Sequence, residues 1–153
     1  MRIVFTGGGT GGHVVPNLAV INELTKSKQE IEILYIGSKN GVSESLVSKC
    51  GINFKGIHCG KLRRYFSLQN LLDVFKVPIG IAEAYKCLKN FKPEIVFSKG
   101  GYVSFPVVLA AAKLKIPVIL HESDVVPGLA NKIMAKFSKK ICVSFEETKR
   151  YFH

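Results

Sequence analysis

Short apolar stretches alternate along this chain with longer stretches whose apolar residues have helical spacing. The short stretches are RIVF (2–5), IEILYIG (31–37), NFKGIH (53–58), EIVFS (94–98), IPVIL (116–120) and KICVS (140–144). Helices are predicted over 15–27, 68–90, with a break or kink at Pro78, over 104–114 and 127–137, and from about 145 onward. Strands that alternate with helices are typical of βαβ units, so the sequence predicts an α/β fold with a mostly parallel sheet flanked by helices.

The length and the charge of the chain narrow its class. Its 153 residues suffice for one domain with a core of its own. The net charge is +11, from 22 lysine and arginine against 11 aspartate and glutamate residues. This excess favours an anionic partner, which could be nucleic acid, a phosphorylated substrate or an acidic membrane surface. A basic domain without such a partner is the alternative.

The cysteines and the hydropathy indicate where the protein works. Cys50, Cys59, Cys87 and Cys142 form no C-x-x-C pair, and we expect reduced, mostly buried thiols of a cytoplasmic protein. No signal peptide is visible, because the first apolar run is stopped by glycines. No run approaches the ~18 apolar residues of a spanning helix, so any membrane contact is expected to be peripheral.

The stretch TGGGTGGHVVP (6–16) follows the first predicted strand. Glycines at a strand-to-helix turn let a ligand approach the backbone, and the helix that follows attracts anions. Gly7, Gly9 and Gly12 satisfy the dinucleotide pattern G-x-G-x-x-G, but the second strand ends in YIGSKN, without the expected carboxylate. A P-loop would need lysine where His13 stands. An anion site is therefore predicted, and a tight turn without a ligand is the alternative.

Two further polar loops follow predicted strands. SKGGYVSFP (98–106) places two glycines before Ser104, which is predicted to cap the next helix. HESDVVPG (121–128) gathers four polar residues, His121 to Asp124. Because ligands of open α/β sheets bind outside the carboxyl ends of the strands, the three loops predict one shared site. Asp124 could instead be a helix N-cap, and His121 a hydrogen-bonded structural histidine.

Three stretches in order, 7–20, 97–111 and 116–132, resemble the N-terminal half of the MurG family of bacterial glycosyltransferases. The resemblance implies a GT-B fold of two Rossmann-like domains, with residues 1–153 as the acceptor-side domain and a C-terminal donor-binding domain outside this chain. It implies an inverting transfer of N-acetylglucosamine from UDP-GlcNAc to undecaprenyl-diphosphate-linked N-acetylmuramoyl-pentapeptide in peptidoglycan synthesis. The chain alone is expected to be inactive without the missing domain or a partner subunit.

Two other functions stay open at this stage. One is a non-catalytic subunit of a split glycosyltransferase that binds the acceptor and docks on the membrane. The other, more remote, is the dinucleotide-binding domain of an oxidoreductase. Whether the chain is a fragment, a truncated gene product or a natural subunit also stays open.

The resemblance also implies roles for individual residues. His13 corresponds to the proposed catalytic base, and its position at a helix start favours its uncharged form. Donor contacts are implied for Thr10, Gly11, Gly12 and Asp124. Contacts with the acceptor or its diphosphate are implied for Gly100, Gly101, Tyr102, Ser104, His121 and Glu122. The chain departs from the family in having HESD where many members have HEQN, and Phe105 in place of a glycine. No cofactor, essential metal or nucleic acid is expected.

A basic and apolar segment, GKLRRYFSLQNLLDVFKVPIG (60–80), is predicted to contact the membrane. Basic residues beside an apolar helix face suit an anionic bilayer surface. The residues predicted to make this contact are Arg63, Arg64, Phe66, Phe75 and Ile79. The helical spacing of Leu68, Leu71, Leu72 and Phe75 is equally typical of a buried core face. The expected location is the cytoplasmic face of the bacterial plasma membrane.

Overall fold

The computed structural model describes residues 1–9, 11–27, 30–60 and 68–152, and the side chains of all of these except 68–75. The strands are β1 (Arg2–Thr6), β2 (Glu32–Ser38), β3 (Asn53–Ile57), β4 (Ile95–Ser98), β5 (Val118–Glu122) and β6 (Lys140–Val143). The helices are α1 (Gly11–Thr25), α2 (Val42–Lys49), α3 (Leu68–Phe91), α4 (Ser104–Lys113) and α5 (Leu129–Ala135), followed by a 3-10 helix (Glu146–Tyr151).

The strands form one parallel sheet in the order β3-β2-β1-β4-β5-β6, which confirms the predicted α/β class and all six predicted strands. In the register of this sheet Thr6 pairs with Ser98, and Ser98 with Leu120. The carboxyl ends of β1, β4 and β5 are therefore neighbours. The loops that follow these three strands meet at one edge of the sheet, as the sequence predicts.

Two layers of helices cover the sheet, because successive strand residues point to opposite faces. Val4 packs with residues of α3, α4 and α5, among them Leu88 and Val107. Ile3 and Phe5 point the other way, toward α1 and α2. Burying a side chain of this size contributes roughly 1.5–3 kcal/mol, so the two apolar layers account for much of the stability of the fold.

The structure corrects two local predictions and adds one helix. Helix α2 was not predicted, because only two of its eight residues are buried and its apolar pattern is weak. Helix α3 does not break at Pro78, which lies exposed on a helix that continues to Phe91 and packs against α4, whereas a kink there stays a prediction. The thiols are free but not mostly buried, since Cys50 follows α2 on the surface and Cys142 lies exposed on the edge strand β6.

The end of the chain is helical where the sequence predicts a helix, but the helix is of the 3-10 type. No helix within the described ranges is both long and apolar enough to cross a bilayer.

Candidate functional site

The first glycine loop (residues 7–12) follows β1, and two buried side chains stabilise its start by hydrogen bonds to backbone carbonyls. The hydroxyl of Tyr35, on β2, donates to the carbonyl of Gly7 at 2.8 Å. The amide of Asn17, on α1, donates to the carbonyl of Thr6 at 3.1 Å and to the Tyr35 hydroxyl at 3.0 Å. Burial raises the pKa of Tyr35 to about 12, so this hydroxyl stays a proton donor. Gly11 and Gly12 are the first residues of α1.

The second glycine loop (residues 99–103) follows β4 and turns through left-handed backbone. Gly100 and Gly101 have φ angles of 86° and 81°, which favour glycine. The N–H of Gly100 donates to the Ser98 hydroxyl at 3.2 Å, and that of Gly101 to the side-chain oxygen of Asn131 at 3.0 Å. Both glycine N–H groups therefore have partners within the protein.

Ser104 has a different role from the predicted cap. It is the first residue of α4, its predecessor Val103 already has helical backbone angles, and no side chain caps the helix. The buried Ser104 hydroxyl donates instead to the carbonyl of Gly100 at 2.9 Å. The prediction that Ser104 caps α4 is wrong, because the glycine turn leads directly into the helix.

The two glycine loops contact each other at His13. A Cβ atom placed on Gly101 would lie 3.1 Å from the Gly8 carbonyl oxygen and 3.3 Å from Nε2 of His13. A Cβ atom on Gly9 would collide with the ring of Tyr102. The absence of side chains at these glycines is what allows the imidazole to lie between the loops.

The β5–α5 loop (residues 123–128) completes the site. The carboxylate of Glu122, which is 3% exposed, accepts the Asn131 amide at 2.7 Å and the N–H of Asp124 at 3.0 Å. Glu122 thus holds two loops in place. It bonds directly to the β5–α5 loop at Asp124 and, through Asn131, to the second glycine loop. Asp124 is exposed, and the N-cap of α5 is Gly128, so the alternative role of Asp124 as an N-cap is wrong.

His121 lies half-buried beside the edge strand. Its Nε2 is 3.3 Å from the Ser144 hydroxyl, and its ring is 6.3 Å from that of Phe97. Burial, and then the charge of Lys99, lower the pKa of His121. These contacts match the structural alternative, and an acceptor contact of His121 stays a prediction.

A buried charge underlies the site. Lys99 is 1% exposed and its ammonium donates to the Ser123 hydroxyl at 2.8 Å. Burial lowers the pKa of Lys99. The pKa of His13 is lowered first by burial and then by Lys99, whereas Asp124 and Glu122 act in the opposite direction. The pKa of His13 is thus shifted in the direction that the sequence predicts, with burial as the largest cause.

Sequence reasoning missed Lys99 and Asn131. A lysine placed between a buried strand and a glycine pair is a readable signal for the first. Nothing near Asn131 in the sequence points to its partner Gly101, thirty residues away.

Some of the residues predicted to contact the donor or the membrane cannot be placed in the site. Thr10, Arg63, Arg64 and Phe66 fall outside the described residues, and so does the side chain of Phe75. Ile79 is 50% exposed. Within the described part of the chain, no three histidine, cysteine or acidic side chains are grouped as metal ligands would be.

The glycosyltransferase family 28 N-terminal domain matches residues 3–143 of this chain. The chain belongs to glycosyltransferase family 28. Two relatives are named UDP-N-acetylglucosamine–N-acetylmuramyl-(pentapeptide) pyrophosphoryl-undecaprenol N-acetylglucosamine transferase. The one from Clostridium tetani is 53% identical and the one from Lachnoclostridium phytofermentans 55%, each over 98% of this chain. The chain spans 41% and 42% of the length of these relatives.

Solved structures agree with this family 28 assignment. The crystal structure of Acinetobacter baumannii MurG matches 96% of this chain and 41% of its own, with a TM-score of 0.80 and 30% identity. UDP-GlcNAc 2-epimerase from Neisseria meningitidis, solved with UDP-GlcNAc, covers 99% of this chain and 43% of its own, with a TM-score of 0.71 and 20% identity, and shares the fold. The resemblance to MurG is confirmed, and so is the Rossmann-like fold of an N-terminal GT-B domain. The oxidoreductase alternative receives no support, and β2 ends at Ser38 without a carboxylate.

Proposed function

We propose that residues 1–153 form the acceptor-side domain of a transferase that moves N-acetylglucosamine from UDP-GlcNAc to undecaprenyl-diphosphate-linked N-acetylmuramoyl-pentapeptide. The observation that carries this proposal is the identity of 51–55% over 98% of the chain with relatives named for that reaction. The donor-binding domain belongs to the part of those relatives that this chain does not match.

His13 is the general base of the proposed reaction. It takes the proton of the acceptor hydroxyl as that oxygen attacks the anomeric carbon of the donor sugar, and UDP leaves from the opposite face. Two features support this role. The imidazole lies where the two glycine loops meet, and its lowered pKa leaves it uncharged and able to accept a proton near neutral pH.

The acceptor diphosphate binds beside the second glycine loop, at the amino end of α4. The N–H groups of Gly100 and Gly101 are already bonded within the protein. Gly101 therefore serves by letting the first glycine loop and His13 approach, and Gly100 by leaving room for Asn131. Helix α4 has no acidic residue in its first turn, and its amino end attracts anions. Glu122 and Ser104, for which acceptor contacts were expected, are buried and instead hold this loop, Ser104 through the Gly100 carbonyl and Glu122 through Asn131.

A chimera tests the proposal. This chain is fused to the region of the Clostridium tetani transferase that lies beyond its match with this chain. We expect the chimera to transfer N-acetylglucosamine to the lipid-linked acceptor and the chain alone to transfer almost none, because a transferase must hold both substrates in line. The Clostridium tetani enzyme is the positive control. Turnover by the pure chain comparable to that control would contradict the proposed division into two domains.

The basic segment 60–80 docks the domain on the cytoplasmic face of the plasma membrane in this proposal. The exposure of Ile79 on α3 agrees with it. We expect the chain to bind vesicles that contain anionic lipid, to bind less as salt is added, and to lose most binding when Arg63 and Arg64 are changed to glutamate. Sedimentation with vesicles measures this.

The matched control reverses the charge of two exposed lysines, Lys26 and Lys49. Lys26 follows α1 and Lys49 is the last residue of α2, so both lie at the edge of the sheet opposite to the glycine loops. This variant has the same net charge as the arginine variant, so a loss confined to the arginine variant identifies the surface. Equal loss in both variants, or equal binding to neutral vesicles, would remove segment 60–80 from the proposed docking surface.

A further inference from the structure

Lys99 is buried at the centre of the site, although lysine is almost never fully buried without a partner. Its N–H donates to the Thr6 carbonyl at 2.9 Å, and its Cβ would lie 2.9 Å from a Cβ on Gly7. Its ammonium donates to Ser123 at 2.8 Å. Lys99 therefore links the ends of β1, β4 and β5 beneath the two glycine loops.

The surroundings of Lys99 are acidic. Its partner Ser123 stands between Glu122, which is buried, and Asp124, and the Glu122 carboxylate accepts the N–H of Asp124 at 3.0 Å. Both carboxylates act to raise the pKa of Lys99, against the effect of burial. The N–H groups of Gly100 and Gly101 have partners within the protein. An anion at this loop would therefore meet two carboxylates, and the ammonium of Lys99 is the neighbouring charge that offsets them.

We propose that Lys99 is a positioning residue that sets the charge of the site. Its ammonium, bonded to Ser123 beneath the two glycine loops, offsets the carboxylates of Glu122 and Asp124 both at His13 and at the second glycine loop, where a diphosphate group can then bind. The statement about the diphosphate rests on the proposed function, and the statement about His13 does not.

The groups that act on His13 come from two loops. The β4–α4 loop contributes the ammonium of Lys99 and the backbone of Gly101, and the β5–α5 side contributes Glu122 and Asp124. Burial has the largest effect on the His13 pKa and lowers it; Lys99 lowers it further, and the two carboxylates raise it. Removing the ammonium takes away one of the two effects that lower this pKa and leaves burial alone to oppose the carboxylates, so the pKa of His13 is expected to rise.

NMR titration of the chain itself tests this coupling. The chain has four histidines, so single substitutions assign each ring signal. We expect the His13 midpoint to lie below the ordinary histidine value of 6.5 in the wild type and to move to higher pH in Lys99→Met. Lys99→Arg keeps the charge and should leave the midpoint near the wild type. Ser123→Ala removes the hydroxyl but not the charge, and should also leave it there.

Two results would overturn the proposal. The first is a wild-type His13 midpoint at or above 6.5, which needs no variant and so does not depend on whether one folds. The second is an unchanged midpoint in Lys99→Met or Lys99→Gln, with the ring of His58, held by Glu83 at 2.9 Å, as the reference for a folded chain.

Inorganic pyrophosphate is the probe for the second part. Titrated into the wild-type chain, it should shift the amide signals of the second glycine loop, and Lys99→Met should bind it about tenfold more weakly than Lys99→Arg. Equal binding by both variants would overturn this part. If the wild type does not bind pyrophosphate, the proposed acceptor site fails while the His13 titration still decides the role of Lys99.

Discussion

His13→Ala is expected to lower the turnover of the chimeric transferase by about 10²–10⁴-fold, with the KM for UDP-GlcNAc near its wild-type value. A general base acts on the proton that moves in the transition state, so its loss reduces the rate of the chemical step rather than donor affinity. Steady-state assays with the lipid-linked acceptor measure both constants.

The pH profile supplies a second readout for His13. The imidazole accepts a proton only while it is uncharged, so turnover of the wild-type chimera should fall as the pH drops through the lowered pKa of His13, below the ordinary value of 6.5. This acid limb should be absent from the residual activity of His13→Ala. A variant with near-normal turnover, or one that loses donor affinity alone, would make His13 a binding or structural residue.

The sequence predicts the fold well because the fold depends on local patterns. Six apolar stretches are long enough to be read as strands, and each is bounded by glycine, proline or polar residues. Helix α2 escaped prediction since only Ser43 and Val47 of its eight residues are buried, with Leu46 partly buried against the same core. Helix α2 packs against α1, β2 and β3, and contacts of this kind leave only a weak periodic signal in so short a helix.

The site was predictable only in part, for a related physical reason. Glycine loops follow strands in the sequence, so the meeting of Gly8 and Gly9 with residues 101–103 follows from the parallel sheet. The two hydrogen bonds that connect Glu122 to Asn131 and Asn131 to Gly101 depend instead on tertiary contacts of α5. Ser104 illustrates the limit, because a serine before a helix is typical of a cap, yet here the hydroxyl bonds to the preceding turn.

Gly100→Ala is expected to disable the site by displacing the second glycine loop. Alanine at a φ of 86° costs about 1–2 kcal/mol in backbone strain. Its Cβ would also collide with the side-chain amide of Asn131, which is 5% exposed and held by Glu122 and Gly101. Overpacking of this kind costs roughly 1–3 kcal/mol more. A shift of the loop by about 1 Å should lower turnover of the chimera about 10²-fold.

Gly51→Ala is the matched control, since Gly51 has a φ of 69° and no atom lies within 4 Å of its Cβ position. Both variants bear the cost of left-handed backbone, and only Gly100→Ala meets another side chain. Urea unfolding of the chain should therefore show a loss of about 1–2 kcal/mol for Gly51→Ala and a larger one for Gly100→Ala. Turnover should fall in Gly100→Ala alone, assayed where both are folded. Equal stability losses with equal turnover would mean that the contact between Gly100 and Asn131 does not position the second glycine loop.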